Sequence, residues 1–217
     1  MKIALLGAES TGKTRLARDL AAHLRMQGKR PEAVPEVLRE WCMREGREPR
    51  PDEQMRIARD QEARVDAAAA RADVVIADTT ALMVVIYSGM AFENGELFRF
   101  ALECQRGYDL TLLCGLDLPW VPDGLHRIGP EVRDAVDAQI RDALERARIS
   151  YRMVYGSGEE RLRNALAAID SAEPEDARAD AVARRWTWSC DKCSDPDCEH
   201  RLFTGLSAPP AAGRPAK

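Results

Sequence analysis

No uninterrupted apolar run approaches the roughly 18 residues that a membrane-spanning helix needs, so the 217-residue chain is not expected to enter a membrane. Nor is there an excess of positive charge. Lys and Arg number 32 against 36 Asp and Glu, a net charge of −4, which argues against an electrostatic nucleic-acid binder. No internal repeat is present. The opening Met1-Lys2 leads into only six uncharged residues, Ile3 to Ala8, before Glu9, too few for a signal-peptide core. A cytoplasmic protein is expected. Its six Cys are then reduced thiols or metal ligands rather than disulfides.

What is present suits one α/β domain with an appendage. The chain exceeds the about 100–150 residues of an average domain, and its apolar share of 45% is ordinary for a globular protein. A chain of this length buries roughly 70% of its unfolded surface, which argues against wholesale disorder. Short apolar runs alternate with longer helical patterns, the signature of a parallel sheet with crossover helices. Strands are expected at Ile3–Leu6, Glu32–Pro35, Val74–Ala77, Leu110–Cys114 and Tyr151–Tyr155. Helices are expected at Thr14–Leu24, Glu36–Arg44, Asp52–Ala72 with Asp52 as N-cap, Thr80–Met90, Glu96–Gln105, Pro130–Arg148 and Glu159–Ile169. The body spans residues 1–172. Residues 173–185 read as a charged linker or exposed helix, 186–204 hold a Cys/His/Trp-rich segment, and 205–217 form a disordered tail.

Gly7-Ala8-Glu9-Ser10-Thr11-Gly12-Lys13-Thr14 matches G-x-x-x-x-G-K-[ST] at every fixed position. Its glycines permit positive φ and close approach of phosphate oxygens, so successive N–H groups can surround an anion at the positive end of the following helix. Lys13 would bridge the β- and γ-phosphates and Thr14 would supply a hydroxyl to Mg²⁺. The four fixed positions arise by accident in about one chain in a hundred of this length, and here the motif follows a strand and opens a helix. A nucleoside triphosphate is the expected ligand. No Asn-Lys-x-Asp guanine signature occurs, which favours ATP.

Further segments follow in order: Val34-Pro35-Glu36-Val37-Leu38-Arg39-Glu40, Ala77-Asp78-Thr79-Thr80, Tyr87-Ser88, Tyr108-Asp109-Leu110 and Asp117-Leu118-Pro119-Trp120-Val121-Pro122-Asp123-Gly124. With the phosphate loop, these resemble the ribosylnicotinamide kinase domain of NadR-type proteins, over residues 1 to about 170. The resemblance implies a three-layer P-loop fold of nucleoside and nucleotide kinase type, with a parallel sheet of strand order 2-3-1-4-5. The adenylyltransferase domain that often precedes this kinase domain is not expected, since Met1 leads directly into the first strand.

By the same resemblance, Glu36 lies near the attacking hydroxyl, with Arg39 beside it. Its plainer account is a first-turn carboxylate compensating the helix dipole. Asp78 ends the buried third strand, where P-loop proteins place a carboxylate near Mg²⁺ or its waters; a solvated helix cap is the competing reading. Trp120 offers an indole face to a cationic pyridinium ring, an attraction of about 0.5–2 kcal/mol, with Asp117 and Asp123 adding charge and Tyr87 a second aromatic wall. Core packing explains Trp120 as well, and Tyr87 better. Asp123 to Arg133 is expected to form a lid, with Arg127 or Arg133 stabilising the transferring phosphoryl group. Here the chain departs from the family pattern, having His126 before Arg127. Gly156-Ser157-Gly158 lies where such kinases pass the adenine, although an ordinary turn explains it too.

Cys190, Cys193, Cys198 and His200 concentrate soft ligands in the tail, and Cys-x₂-Cys is the spacing at which two thiolates share Zn²⁺. The competing account is a polar tail with free thiols. Cys42, Cys104 and Cys114 are expected to be buried structural residues. The reading is an ATP- and Mg²⁺-dependent kinase acting on a nucleoside-like substrate, nicotinamide riboside, to give nicotinamide mononucleotide. Two alternatives stay open: a P-loop ATPase with another or no acceptor, and an ATP-sensing adaptor with a zinc tail.

Overall fold

A computed structural model describes residues 1–89, 95–121 and 130–172, all within a compact unit spanning Met1–Ala172. The expectations for Asp123, His126, Arg127 and the tail ligands Cys190, Cys193, Cys198 and His200 lie outside the described residues. The elements run β1 (Lys2–Leu6), α1 (Lys13–Met26), β2 (Pro31–Val34), α2 (Val37–Glu45), α3 (Pro51–Ala69), β3 (Val74–Asp78), α4 (Ala81–Tyr87), α5 (Gly95–Arg106), β4 (Leu110–Cys114), α6 (Pro130–Arg146), β5 (Arg152–Val154) and α7 (Gly158–Asp170). No helix among the described residues is long and apolar enough to cross a membrane.

The five strands form one parallel sheet of order β2-β3-β1-β4-β5, the order the resemblance implies. Both faces are covered, and this explains why the strands read as continuous apolar runs rather than alternating ones. Ile3 and Leu5 of β1 pack with Leu16, Leu20 and Leu24 of α1 and Ala165 of α7. Leu6 points the other way, with Leu113, into a larger core built with Ile57, Leu82, Leu97 and Ile140. The register sets Leu5 beside Asp78 and Leu6 beside Leu113. Chain direction around the sheet reverses at β1, so its carboxyl end opens into the crevice where ligands of such sheets bind.

Two local expectations are corrected. Arg50, not Asp52, is the N-cap of α3. Pro51 occupies the first helical position, where its missing N–H is no loss, and the Glu53 carboxylate accepts from the Arg50 backbone N–H at 2.7 Å. Cys42 and Cys114 are buried, but Cys104 is only partly so, because its helix is covered on one side alone.

Candidate nucleotide-binding site

The residues after β1 fold back over the sheet's carboxyl edge. Gly7 has φ 146°, and a Cβ there would meet Thr11 Oγ1 at 2.8 Å and the Cys114 carbonyl at 3.0 Å. Gly12, at φ 77°, is the N-cap of α1. The loop is tied by its own side chains. Thr11 Oγ1 donates to the Ala8 carbonyl at 2.7 Å, and Lys13 Nζ donates to the carbonyls of Gly7 and Ala8, both at 2.7 Å. The first N–H groups of α1 have no intrahelical acceptor, and the helix dipole adds to the positive charge of Lys13. This is an anion cradle by construction.

The chain after β4 runs alongside the loop. Ser10, at φ 56°, accepts from the Val121 N–H at 3.0 Å and donates to its carbonyl at 3.1 Å. Leu118 closes over Gly12. Trp120, half-buried, has its indole Nε1 buried without a hydrogen-bond partner among the described residues.

Asp78 ends β3 beside Leu5, is 4% exposed, and its Oδ1 has no partner among the described residues. Thr79 follows at φ 74° while its N–H bonds the Leu5 carbonyl at 3.1 Å. A β-branched residue in that conformation costs about 1–3 kcal/mol, and the turn it makes sets Asp78 at the strand end and Thr80 as the cap of α4, its Oγ1 accepting from Leu82 N–H at 3.3 Å. The orphaned carboxylate oxygen and the half-buried Thr14 hydroxyl are hard oxygen donors of the kind Mg²⁺ takes, so the residues present fit that ion. Among the described residues no group of three or more His, Cys, Asp or Glu gathers as a metal site.

Glu36 is the N-cap of α2 but makes no side-chain cap bond. The turn is held from behind instead. Buried Gln61 accepts from the Val37 N–H at 2.8 Å and donates to the Pro35 carbonyl at 3.4 Å. Arg39 is exposed one turn on, and Tyr87 is half-buried against the larger core. On α2, Trp41 carries the Arg47 guanidinium 4.8 Å from its ring centre.

Arg133 and Asp117 are engaged with protein partners. Arg133, 7% exposed, donates to the carbonyls of Leu118, at 2.7 Å, and Leu116; reaching a phosphoryl group would require leaving both. Asp117 accepts from the Gly156 N–H at 2.6 Å and from Arg161 at 3.0 Å, so its charge is already paired within the protein. Ser157 is the N-cap of α7 and stands exposed beside Gly156.

Sequence reasoning missed Arg161, Gln61 and Thr79. Arg161 carried a signal: it stands four residues before Ala165 on the buried stripe of α7, where a charge is costly unless something receives it. Around buried Cys114, whose thiol burial pushes up, the cations of Arg161 and Lys13 pull the other way and Asp78 adds to the rise.

A protein-family comparison matches residues 2–161 to AAA_28, described as an AAA domain. No curated protein matches in sequence. Among solved structures, the chain is similar to a NadR protein in complex with NR, with TM-score 0.63 at 18% identity, over 79% of this chain and 51% of that one. A NadR protein in complex with NAD and AMP-PNP gives TM-score 0.59 at 18% identity, over 79% of this chain and 49% of that one. The chain thus spans about half the length of the NadR chains it matches. A thymidylate kinase from Ehrlichia chaffeensis gives TM-score 0.54 at 14% identity, over 80% of this chain and 98% of that one.

Proposed function

The chain belongs to the AAA_28 family of AAA domains, and on that premise we propose that it is an ATP-dependent phosphotransferase that moves the γ-phosphoryl group of ATP to a nucleoside-like acceptor, most concretely nicotinamide riboside. What supports this reading is that Lys13, Asp78 and Glu36 stand at or after the carboxyl ends of the neighbouring strands β1, β3 and β2, Lys13 in a loop built to hold an anion.

In this reading the loop amides take the phosphate oxygens, and Lys13 exchanges the Gly7 and Ala8 carbonyls for β- and γ-oxygens. Thr14 and Asp78 would hold Mg²⁺, which supplies charge neutralisation on the polyphosphate. Glu36 orients the ribose 5′-hydroxyl and accepts its proton as the new O–P bond forms and ADP leaves. A loose phosphoryl-transfer transition state needs little activation of the nucleophile, so Glu36 acts mainly by positioning. The Trp120 indole receives the cationic pyridinium, with Arg39 and Tyr87 bordering the acceptor. The turn at Gly156 and Ser157 passes the adenine.

ADP release measured across a panel of nucleosides, nicotinamide riboside included, tests the proposal. Stimulation by the riboside is expected. Hydrolysis indifferent to acceptor would make the protein an ATPase, and ATP binding without turnover would make it an ATP-sensing adaptor.

A further inference from the structure

Arg161 is 4% exposed, and its guanidinium gathers main-chain oxygens from three places far apart in sequence. It donates to Thr11 O of the phosphate loop at 2.7 Å, to Gly156 O of the β5–α7 turn at 2.7 Å and to Gly115 O after β4 at 3.3 Å. Among the described residues Asp117 is its carboxylate partner, at 3.0 Å, with a side chain 31% exposed. Its Nε is buried without a partner among the described residues, and a Cβ on Gly12 would lie 3.9 Å from it.

We propose that Arg161 is a positioning residue that fixes the peptide between Thr11 and Gly12 and locks the phosphate loop to the Gly156 turn. The inference rests on reading this as an ATP site. A peptide unit is planar and trans, so its carbonyl and N–H point in opposite directions. Holding Thr11 O therefore aims the Gly12 N–H to the far side of the loop, away from Arg161. The bond to Gly156 O fixes the next peptide, and with it the Ser157 N–H, in the same way. A charged donor also polarises the amides it binds, strengthening the N–H at the other end. Only a planar fork with five donors reaches three carbonyls and a carboxylate at once; an ammonium has three donors at one point. Phosphate loop and adenine turn are thereby held as one unit, and the two ends of ATP meet a preset spacing.

The test compares wild type with Arg161→Met and Arg161→Lys, by calorimetry with ATP and with tripolyphosphate and by steady-state kinetics. Loss of the lock weakens both ligands by at least about tenfold. In turnover, KM for ATP rises by a larger factor than kcat falls, and Lys restores only part. A merely structural residue would lower the folded fraction, and hence apparent kcat, without changing Kd or KM of the molecules that remain folded. Should Arg161→Met not fold, Arg161→Lys decides alone: unchanged Kd for both ligands in a folded Lys variant overturns the inference, and weakened binding supports it. Wild type that binds no ATP would instead overturn the reading of the site itself, and the inference with it.

Discussion

At the phosphate loop the fixed groups are mostly main chain: buried Lys13 and Thr11 bind loop carbonyls, buried Arg161 binds one more in the loop and two outside it, and Ser10 clasps Val121 at the surface. At the proposed acceptor edge the groups are side chains, among them half-buried Glu36 at the start of α2, with Gln61 behind its turn, and exposed Arg39 one turn on. The first arrangement suits a shape common to all nucleoside triphosphates. The second depends on which side chains stand at a few positions, so it is where relatives of one fold diverge in acceptor.

The largest effect is expected at Lys13. Lys13→Ala removes the cation that ties the loop and, in the proposed reading, meets the phosphates. Loss of the ATP-dependent melting shift is expected, with kcat/KM lower by about a thousandfold or more. A melting shift the size of wild type's would mean that the triphosphate binds elsewhere. Glu36→Gln probes the other region and should act differently. Turnover falls by about a hundredfold while the Kd for ATP stays within about twofold. Equal loss of turnover and ATP affinity would erase the division between the two regions.

Both regions were unequally legible in the sequence, for a physical reason. The loop announces itself because backbone geometry demands glycine and the chemistry demands Lys13 and Thr14 within eight consecutive residues. The sheet was legible because strands covered on both faces must be apolar throughout, as Val74–Ala77 is. Its strand order came from the resemblance rather than from any residue. Gln61 and Arg161 were not legible, since each works through backbone atoms 24 and 150 residues away in sequence and backbone atoms leave no mark in composition. Thr79 was hidden for the opposite cause. Its side chain suits a strand, and only the structure reveals a left-handed backbone where Gly or Asn is the usual choice.

Gln61→Ala acts on a smaller scale. It leaves the Val37 N–H without its acceptor where Gln61 itself is 1% exposed, a loss of about 1–3 kcal/mol in unfolding free energy. Turnover should fall with it, because the turn bearing Glu36 loosens. In a Glu36→Gln background the same substitution should cost stability but little further turnover. Additive losses in turnover would place Gln61 outside the positioning of Glu36.

The smallest effect lies behind both regions, at Glu62. Its carboxylate accepts from Ala81 N–H at 2.7 Å and Tyr108 OH at 2.9 Å. Burial nevertheless raises its pKa above the ordinary 4.5, with Asp66 adding to the rise and Lys2 opposing it. The folded chain therefore keeps this proton at pH values where the unfolded chain has lost it. Stability from this group is complete below pH 4.5 and declines as pH climbs to the raised folded value, beyond which it is level. Glu62→Gln keeps an acceptor for Ala81 and removes the titration. Urea midpoints between pH 4.5 and about 7.5 should therefore fall less steeply in the variant than in wild type. Tyr108, itself raised by burial and by Glu62, stays neutral across that range and leaves the slope to Glu62. Parallel curves would mean that Glu62 ionises in the folded chain as readily as in the unfolded one, its two hydrogen bonds offsetting its burial in full.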